Sequence, residues 1–341
     1  MLRFRFVLRL MKARFQEVAK VLLEEPEDLG TAWRACNLYK ELLLELSELD
    51  LETEAARYNI ALAQGMALGS TWAAYCLNDF LRTRRFIKGI HTAVAHLLTT
   101  RKNRPVHLLY AGTGPFATLV LPLLYCFRPE ELQFTFLEIN PISYHNLQKL
   151  LEHLDLMDYV RRLEPADATT YRIPPGETVD IVLSETMQAG LRREVQVPIF
   201  WNLLSQEAAR QAIPIPERIE LFMGAYRSNY EPSDSPPKAV KFGSYFRLDR
   251  DHIPDDRSGD TLPSARIKVP NNLDDGFDQL VIFTEIDIFQ KQRLRHGDSG
   301  LTTPLIIRDI HRNPVKGQFI NIRYYLREDP GECIEITNDP L

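Results

Sequence analysis

The sequence has few cysteines and no long apolar run. Its four cysteines, Cys36, Cys76, Cys126 and Cys333, lie far apart and form no Cys-x-x-Cys pair. This spacing argues against a zinc site or a disulfide framework and fits a reducing compartment, so we expect no metal and a cytoplasmic protein. No apolar stretch approaches the length needed to cross a bilayer, so no membrane partner is expected.

An excess of positive charge is also missing. The 341 residues include 41 Lys and Arg against 46 Asp and Glu, a formal net charge of −5. Nucleic-acid-binding proteins carry basic surfaces, so the charge gives no reason to expect a nucleic-acid partner. The composition, 45% apolar and 26% charged, is typical of a globular enzyme, and the length predicts two or three packed regions.

Three sequence patterns divide the chain. Residues 1–100 show mainly apolar residues at helical spacing, which predicts a helical region. Residues 101–213 alternate between short apolar runs and helical patterns, as in a parallel, doubly wound sheet. Residues 214–341 contain β-rich runs separated by Pro, Gly and Asp, which predict an antiparallel sheet or barrel. Within them, residues 228–270 form a long polar excursion, either a flexible loop or an arm that grips a second subunit.

A glycine-containing turn follows the first apolar strand of the middle region. Glycines let the backbone approach a ligand closely, and the helix after the turn offers free N–H groups. The next strand ends at Glu138, where a carboxylate can accept both ribose hydroxyls of a nucleotide. A Gly-x-Gly turn alone could be merely structural, but the order strand, turn, helix, strand, acid favours nucleotide binding. The candidate nucleotide-binding residues are Gly112, Thr113, Gly114, Pro115, Glu138 and Ile139.

The residues beyond this unit indicate which nucleotide is bound. The turn also fits the dinucleotide pattern G-x-G-x-x-A, so a nicotinamide-dependent oxidoreductase is one alternative. Such an enzyme should have a second nucleotide-binding half and a hydride-handling His or Tyr. Instead, Asp167 and Ala168 come after the next predicted strand, where methyltransferases place an acid that receives the adenine amine. Asp167 could also be a plain loop acid. The cofactor predicted by this pattern is S-adenosyl-L-methionine.

Two carboxylates follow the next predicted strand, at residues 179–184. Glu185 comes directly after it, and Glu194 lies nine residues further on. Open α/β sheets bind ligands at the carboxyl ends of their strands, and two carboxylates at one pocket suit a planar guanidinium cation. Glu194, which comes after Arg192 and Arg193, could alternatively be a solvated acid on a helix surface.

These motifs resemble those of the protein arginine methyltransferases. Residues 179–209 are similar to the family's double-glutamate loop, and residues 137–141 look most like the symmetric-dimethylating branch. Residues 77–86 are similar to the pattern L-x-D-x-x-R-T-x-x-[YF]. The resemblance implies that Glu185 and Glu194 are catalytic and that Arg82 binds the methionine carboxylate of the cofactor.

The resemblance also implies an α/β plus β architecture and a homodimer. A helical N-terminal region (1–100) would precede a Rossmann-like S-adenosylmethionine-binding domain (101–213). A β-barrel for substrate binding and dimerisation (214–341) would come last, interrupted by an inserted arm.

The sequence departs from the family at several positions. Tyr110 stands where the turn has its first glycine, Leu108 where many members have an acid, and Thr186 where a bulky apolar residue follows the first glutamate. No Thr-His-Trp motif borders the acceptor pocket, and residues 299–301 occupy its expected place. We expect cofactor binding to survive these changes and protein substrates to be less favoured.

We therefore expect a small guanidine as substrate, with free L-arginine ahead of an arginine-containing peptide. Helices over residues 37–49 and 57–68 would close the pocket mouth against a peptide. Arg192, Arg193 or His296 could bind the carboxylate of the amino acid. Two further alternatives stay open: a methyltransferase of the same fold acting on another small molecule, and a non-catalytic binding scaffold.

Overall fold

Five helices and a hairpin form the N-terminal part of the protein. A computed structural model describes residues 2–24, 29–47, 49–100, 104–229, 238–253 and 264–338. The helices are α1 (Leu2–Leu23), α2 (Leu29–Leu46), α3 (Glu54–Arg57), α4 (Ser70–Tyr75) and α5 (Phe80–Thr100). None of the described helices is both long and apolar enough to cross a membrane. Helix α5 buries residues at helical spacing, such as Phe86, Ile90 and Val94, which anchors it in the common core.

The helix predicted over residues 57–68 is wrong. Strand β1 (Ile60–Leu62) instead pairs with β2 (Gly65–Ala67) as an antiparallel hairpin. The backbone angle φ of Gly65 is +131°, which lies outside any right-handed helix and which only glycine adopts readily. A Cβ atom at Gly65 would also lie 2.8 Å from the carbonyl oxygen of Arg193, so this glycine lets the hairpin pack against a distant segment.

The middle of the chain forms a five-stranded parallel sheet. Its order is β5-β4-β3-β6-β7, so β3 is central and lies between β4 and β6. The strands are β3 (Val106–Ala111), β4 (Leu132–Leu137), β5 (Val160–Glu164), β6 (Ile181–Ser184) and β7 (Ile213–Ile215), and the helices are α6 (Pro141–His153) and α7 (Gln196–Leu204). Since every pair is parallel, the segments that come after β3, β4, β5 and β6 meet at one edge of the sheet.

The C-terminal part consists of two antiparallel sheets. One has the order β12-β11-β8-β9, with β13 also paired to β11, and the other has the order β10-β14-β15. The strands are β8 (Arg218–Tyr226), β9 (Ala239–Asp249), β10 (Ala265–Lys268), β11 (Gln279–Phe289), β12 (Gln292–Leu294), β13 (Leu305–Asp309), β14 (Phe319–Tyr325) and β15 (Gly331–Thr337). Together with the helical N-terminal region and the Rossmann-like sheet, these strands confirm the predicted α/β plus β architecture.

The interpretation of residues 228–270 as one excursion is wrong for the described part of that range. Strand β9 pairs with β8 along its whole length, and β10 pairs with β14. Shifts in register between β8 and β9 interrupt the alternation of apolar and polar residues, which is why the sequence pattern did not indicate a strand. The residues of this range that remain for the predicted arm are 230–237 and 254–263, and these lie outside the described residues.

Candidate active site

A cavity of about 960 Å³, including its open mouth, lies where the parallel strands end. The predicted site residues that line it are Arg82, Gly112, Thr113, Gly114, Glu138, Ile139, Asp167, Ala168, Glu185 and Glu194. Pro115 does not line the cavity, and its carbonyl oxygen accepts a hydrogen bond from Asn146 at 2.9 Å. The turn at the end of β3 is therefore exposed to the cavity through its first three residues only.

The glycine turn holds Glu138 in place. Gly112 and Gly114 both have positive φ, +72° and +62°, so the turn needs residues without a side chain. The buried Glu138 carboxylate accepts hydrogen bonds from the backbone N–H of Gly114 at 2.7 Å and of Asn140 at 2.8 Å. Burial raises the pKa of Glu138, and these two N–H groups oppose that rise. A carboxylate offers about four acceptor positions, so Glu138 can bind further donors in the cavity.

Asp167 lies beyond the end of β5 on the same side of the sheet. One of its carboxylate oxygens accepts from the backbone N–H and the hydroxyl of Thr169, at 2.8 and 2.7 Å. The other carboxylate oxygen of Asp167 accepts no hydrogen bond from a described residue. Asp167 lines the cavity. The acid therefore organises its own loop and keeps an acceptor for a ligand.

Glu185 and Glu194 are both buried at the cavity. Glu185 comes directly after β6 and accepts a hydrogen bond from Nη1 of Arg82 at 3.1 Å. Only 6% of Glu194 is exposed, which excludes the solvated helix acid considered from the sequence. Burial raises the pKa of Glu185 to about 7, against the opposing effect of Arg82. Burial, and then the negative charge of Glu185, raise the pKa of Glu194 to about 8.

Arg82 lines the cavity and has polar atoms besides the Nη1 that donates to Glu185. Its Nη2 donates to the carbonyl oxygen of Cys76. Its Nε and the hydroxyl of the neighbouring Thr83 are buried and have no hydrogen-bond partner in the described structure. Both residues line the cavity, and buried polar groups without partners destabilise a protein. These atoms therefore mark a place for a polar ligand.

The hairpin β1–β2 forms a wall of the cavity that the sequence did not predict as a strand pair. Leu62 and Met66 line the cavity, and the backbone N–H of Met66 donates to the carbonyl oxygen of Arg193 at 2.8 Å. Met66 also forms a parallel bridge with Glu194. The hairpin thus packs against the backbone at the second glutamate and adds two apolar side chains to the wall of the cavity. The signal that could have revealed it is Gly65, a glycine inside an apolar segment.

Tyr110 is a further lining residue whose role the sequence did not assign. It lies in β3, opposite Phe136 of β4 and Leu183 of β6, and is 4% exposed. Each of those partners stands two residues before an acid of the cavity, and Tyr110 itself lines the cavity. Burial raises the pKa of Tyr110 well above its ordinary value of 10, so its phenol stays neutral. The available sequence signal for this residue was that a tyrosine replaces the family's first glycine at position 110.

The three residues expected to bind a substrate carboxylate do not line the cavity. Nε of Arg192 donates to the buried carboxylate of Glu332 at 2.7 Å, Arg193 is exposed, and the ring of His296 packs edge-on against Tyr226 and Phe283. The prediction that these residues bind a substrate carboxylate is wrong, because residues distant in the sequence contact the side chains of Arg192 and His296.

Residues 299–301, expected in the place of the Thr-His-Trp motif, do not line the cavity. The carboxylate of Asp79, just before α5, accepts from the hydroxyl of Ser299 at 2.6 Å and from the backbone N–H of Gly300 at 2.9 Å. This segment therefore joins the C-terminal sheets to the start of the helix that carries Arg82.

Comparisons with known proteins give a fold. No protein-family model matches the sequence, and no curated protein matches it. Among solved structures, the PRMT1 enzyme–prozyme heterotetrameric complex of Trypanosoma brucei with AdoHcy is similar, with a TM-score of 0.53, 10% identity, and coverage of 78% of this chain and 92% of that chain. The structure of PRMT6 has a TM-score of 0.51, 12% identity, and coverage of 78% and 98%. At such low identity the likeness concerns the fold alone, which is that of the protein arginine methyltransferases, as predicted.

The buried glutamates predict how stability depends on pH. Between the ordinary pKa of 4.5 and the raised value of about 8, folded Glu194 retains a proton that the unfolded chain releases. The free energy of unfolding should therefore fall as pH rises through this window. Because Glu194→Gln has no proton to lose, we expect the ligand-free variant to melt at a higher temperature than wild type at pH 8.5. At pH 5 the two should melt within a few degrees of each other.

Differential scanning calorimetry of the ligand-free protein from pH 5 to pH 9 measures this. Glu207→Gln, at an exposed acid, serves as control and should behave like wild type throughout. A Glu194→Gln variant that melts at a lower temperature than wild type at pH 8.5 would contradict this prediction. It would mean that ionisation of the buried Glu194 does not destabilise the folded protein.

Proposed function

We propose that this protein is an S-adenosylmethionine-dependent N-methyltransferase that acts on a guanidinium nitrogen. The observation that carries the proposal is the pair of buried carboxylates, Glu185 and Glu194, beside a glycine turn and an acid suited to a nucleoside. The T. brucei complex of the same fold was solved with AdoHcy, which supports the choice of cofactor.

The residues of the cavity fit this cofactor. Glu138 can accept both ribose hydroxyls, and the free oxygen of Asp167 can accept from the adenine amine. Arg82 Nε and the Thr83 hydroxyl, the buried donors without partners, suit the carboxylate of the methionine part. The bound cofactor would supply a methyl group on a sulfonium, an electrophile that needs a nitrogen lone pair.

The two glutamates can provide that lone pair. A guanidinium has a pKa above about 12, and its delocalised charge leaves no nitrogen with a free lone pair. Charge-assisted hydrogen bonds from two of its nitrogens to Glu185 and Glu194 would concentrate the positive charge there and leave electron density on the third. That nitrogen would form the new bond to the methyl carbon as the carbon–sulfur bond of the sulfonium breaks, which leaves S-adenosylhomocysteine, and the nitrogen would give up one proton. Glu194, whose pKa burial raises to about 8, is suited to accept the proton.

We further propose a small guanidine as substrate. The hairpin of the N-terminal region packs against the backbone at Glu194, and we expect this wall to favour a small molecule over a polypeptide. Free L-arginine remains one candidate, but the pairing of Arg192 with Glu332 removes one reason to rank it above other small guanidines. The homodimer stays a prediction, since its proposed arm falls outside the described residues.

Loss of Glu138 should weaken cofactor binding. We expect Glu138→Ala to raise the dissociation constant of S-adenosylhomocysteine by roughly 10- to 100-fold, since two hydrogen bonds to a carboxylate contribute about 1–3 kcal/mol. Isothermal titration calorimetry measures this dissociation constant. Glu131→Ala, an acid just before the opposite end of β4, is the matched control and should bind like wild type. Binding of NAD by wild type, without any binding of S-adenosylhomocysteine, would favour the oxidoreductase alternative.

Each glutamate of the pair should be needed for transfer but not for cofactor binding. Glu185→Gln and Glu194→Gln keep the side-chain shape and remove a charge that holds the guanidinium. We expect methyl transfer to fall by at least about 100-fold in either variant, with S-adenosylhomocysteine affinity within a few-fold of wild type. Transfer is measured with labelled cofactor, with Glu207→Gln as control. Wild-type turnover by Glu194→Gln would exclude a catalytic role for that residue.

The substrate class can be tested in parallel reactions. Wild type is incubated with labelled cofactor and free L-arginine, agmatine or an Arg-Gly-Gly peptide at equal concentrations. We expect label in at least one of the two small guanidines and at most a trace in the peptide, because the hairpin forms part of the cavity wall. Label in the peptide alone would restore a protein substrate, and label in none of the three would contradict the guanidine mechanism.

A further inference from the structure

The segment that carries the two glutamates, residues 185–194, is bound to the C-terminal sheets along its second half. The backbone N–H of Gly190 donates to the hydroxyl of Thr284 at 2.9 Å, and the backbone N–H of Arg193 donates to the carbonyl oxygen of Pro330 at 3.1 Å. The hydroxyl of Tyr324 donates to the carbonyl oxygen of Leu191. We call residues 185–194 the glutamate loop.

The backbone of the glutamate loop cannot hold this shape by itself. Gly190, Leu191 and Arg193 all have positive φ, at +74°, +56° and +66°. Residues with a Cβ atom rarely adopt such angles, and they keep them only where the surrounding structure enforces them. Glu194 comes directly after this strained stretch. Its position therefore depends on contacts that lie outside the loop.

The ion pair between Arg192 and Glu332 is a charged contact between the loop and the C-terminal sheets. Glu332 lies on β15, and its side chain is completely buried. One carboxylate oxygen accepts from Nε of Arg192 at 2.7 Å, and the other accepts from the hydroxyl of Tyr245 at 2.8 Å. A buried carboxylate that loses its cation is strongly destabilised. Movement of the loop would remove that cation, so the pair opposes such movement more than a neutral contact does.

We propose that Glu332 is a positioning residue of the active site, which holds the strained glutamate loop through Arg192 and thereby keeps Glu194 opposite Glu185. The proposal rests on the proposed methyl transfer. Glu332 touches none of the reacting groups; it acts through the loop. The hairpin holds the other side of the same loop through Met66, so Glu194 is fixed from both sides.

The test compares Glu332→Gln with wild type in the full-length protein. The amide keeps the shape and can still accept from Tyr245, but it loses the charge that binds Arg192. With a guanidine that wild type methylates, we expect kcat to fall at least about tenfold and KM to rise, while S-adenosylhomocysteine affinity stays within twofold. Arg192→Met, which breaks the same pair from the half-exposed side, should give the same loss. The double variant should be no slower than either single one.

A pH profile provides a readout that a loss of stability would not move. The rise of kcat/KM with pH should track the ionisation of Glu194, whose pKa is raised to about 8. The groups that act on it are Glu185, Arg82 and Gln188. The Cys76 thiol also lies close enough to interact with its charge, and the hairpin adds no charge through Gly65 and Met66. If the loop moves away from Glu185 in Glu332→Gln, this rise should shift to lower pH, towards the ordinary range of a glutamate.

Asp180→Asn is the matched control. Asp180 is an equally buried carboxylate at the start of β6, the opposite end from Glu185, and is paired with Arg104 at 2.6 and 2.8 Å. It should lower the melting temperature without changing kcat or the pH profile. Full transfer by both Glu332→Gln and Arg192→Met, or an equal loss of kcat in Asp180→Asn, would overturn the positioning role. A wild type that binds S-adenosylhomocysteine but methylates no guanidine would instead contradict the proposed function.

Discussion

Two carboxylates buried within one cavity are the constraint on which the rest of the structure depends. Each loses its water, and the charge of Glu185 acts on Glu194, so both acids have raised pKa values in the ligand-free protein. Arg82 compensates Glu185 through a direct contact, while Glu194 has no comparably close cation among the described residues. A ligand with two donors and a positive charge would relieve this arrangement. The electrostatic cost of burying the two acids and the proposed affinity for a guanidinium thus have one cause.

Every part of the chain contributes to holding this pair. The parallel sheet places Glu185 and Glu138 at the same edge. The strands that precede these two acids lie on either side of β3. The N-terminal hairpin binds the glutamate loop through Met66, and the C-terminal sheets bind it through Glu332. Such a site is assembled only when all three regions have folded, so its geometry reports on the packing of the whole described molecule.

Local patterns predicted one half of the site well. The turn at Gly112 and the acid at Glu138 lie within a single strand–turn–helix–strand unit, so their neighbours in sequence are also their neighbours in space. Glu194 was ambiguous because its burial depends on the hairpin and on β15, which are distant in sequence. For the same reason Arg192 looked available to a substrate, although its partner stands 140 residues away. The hairpin was taken for helix because its apolar residues allow both periods, and the close approach of Gly65 to Arg193 is a long-range contact that local periodicity does not show.

The packing of Gly112 against Thr186 limits how this site can change over evolutionary time. A Cβ atom at residue 112 would overlap Cγ2 of Thr186, and the positive φ of Gly112 already disfavours any larger residue. The turn after β3 and the start of the glutamate loop therefore share one small volume, so a larger side chain at residue 186 requires the turn to shift. Substitutions at these two positions are accessible only in a certain order, with residue 186 becoming smaller before residue 112 can gain a side chain. The glycine turn and the glutamate loop are therefore expected to change together during evolution, because of this single van der Waals contact.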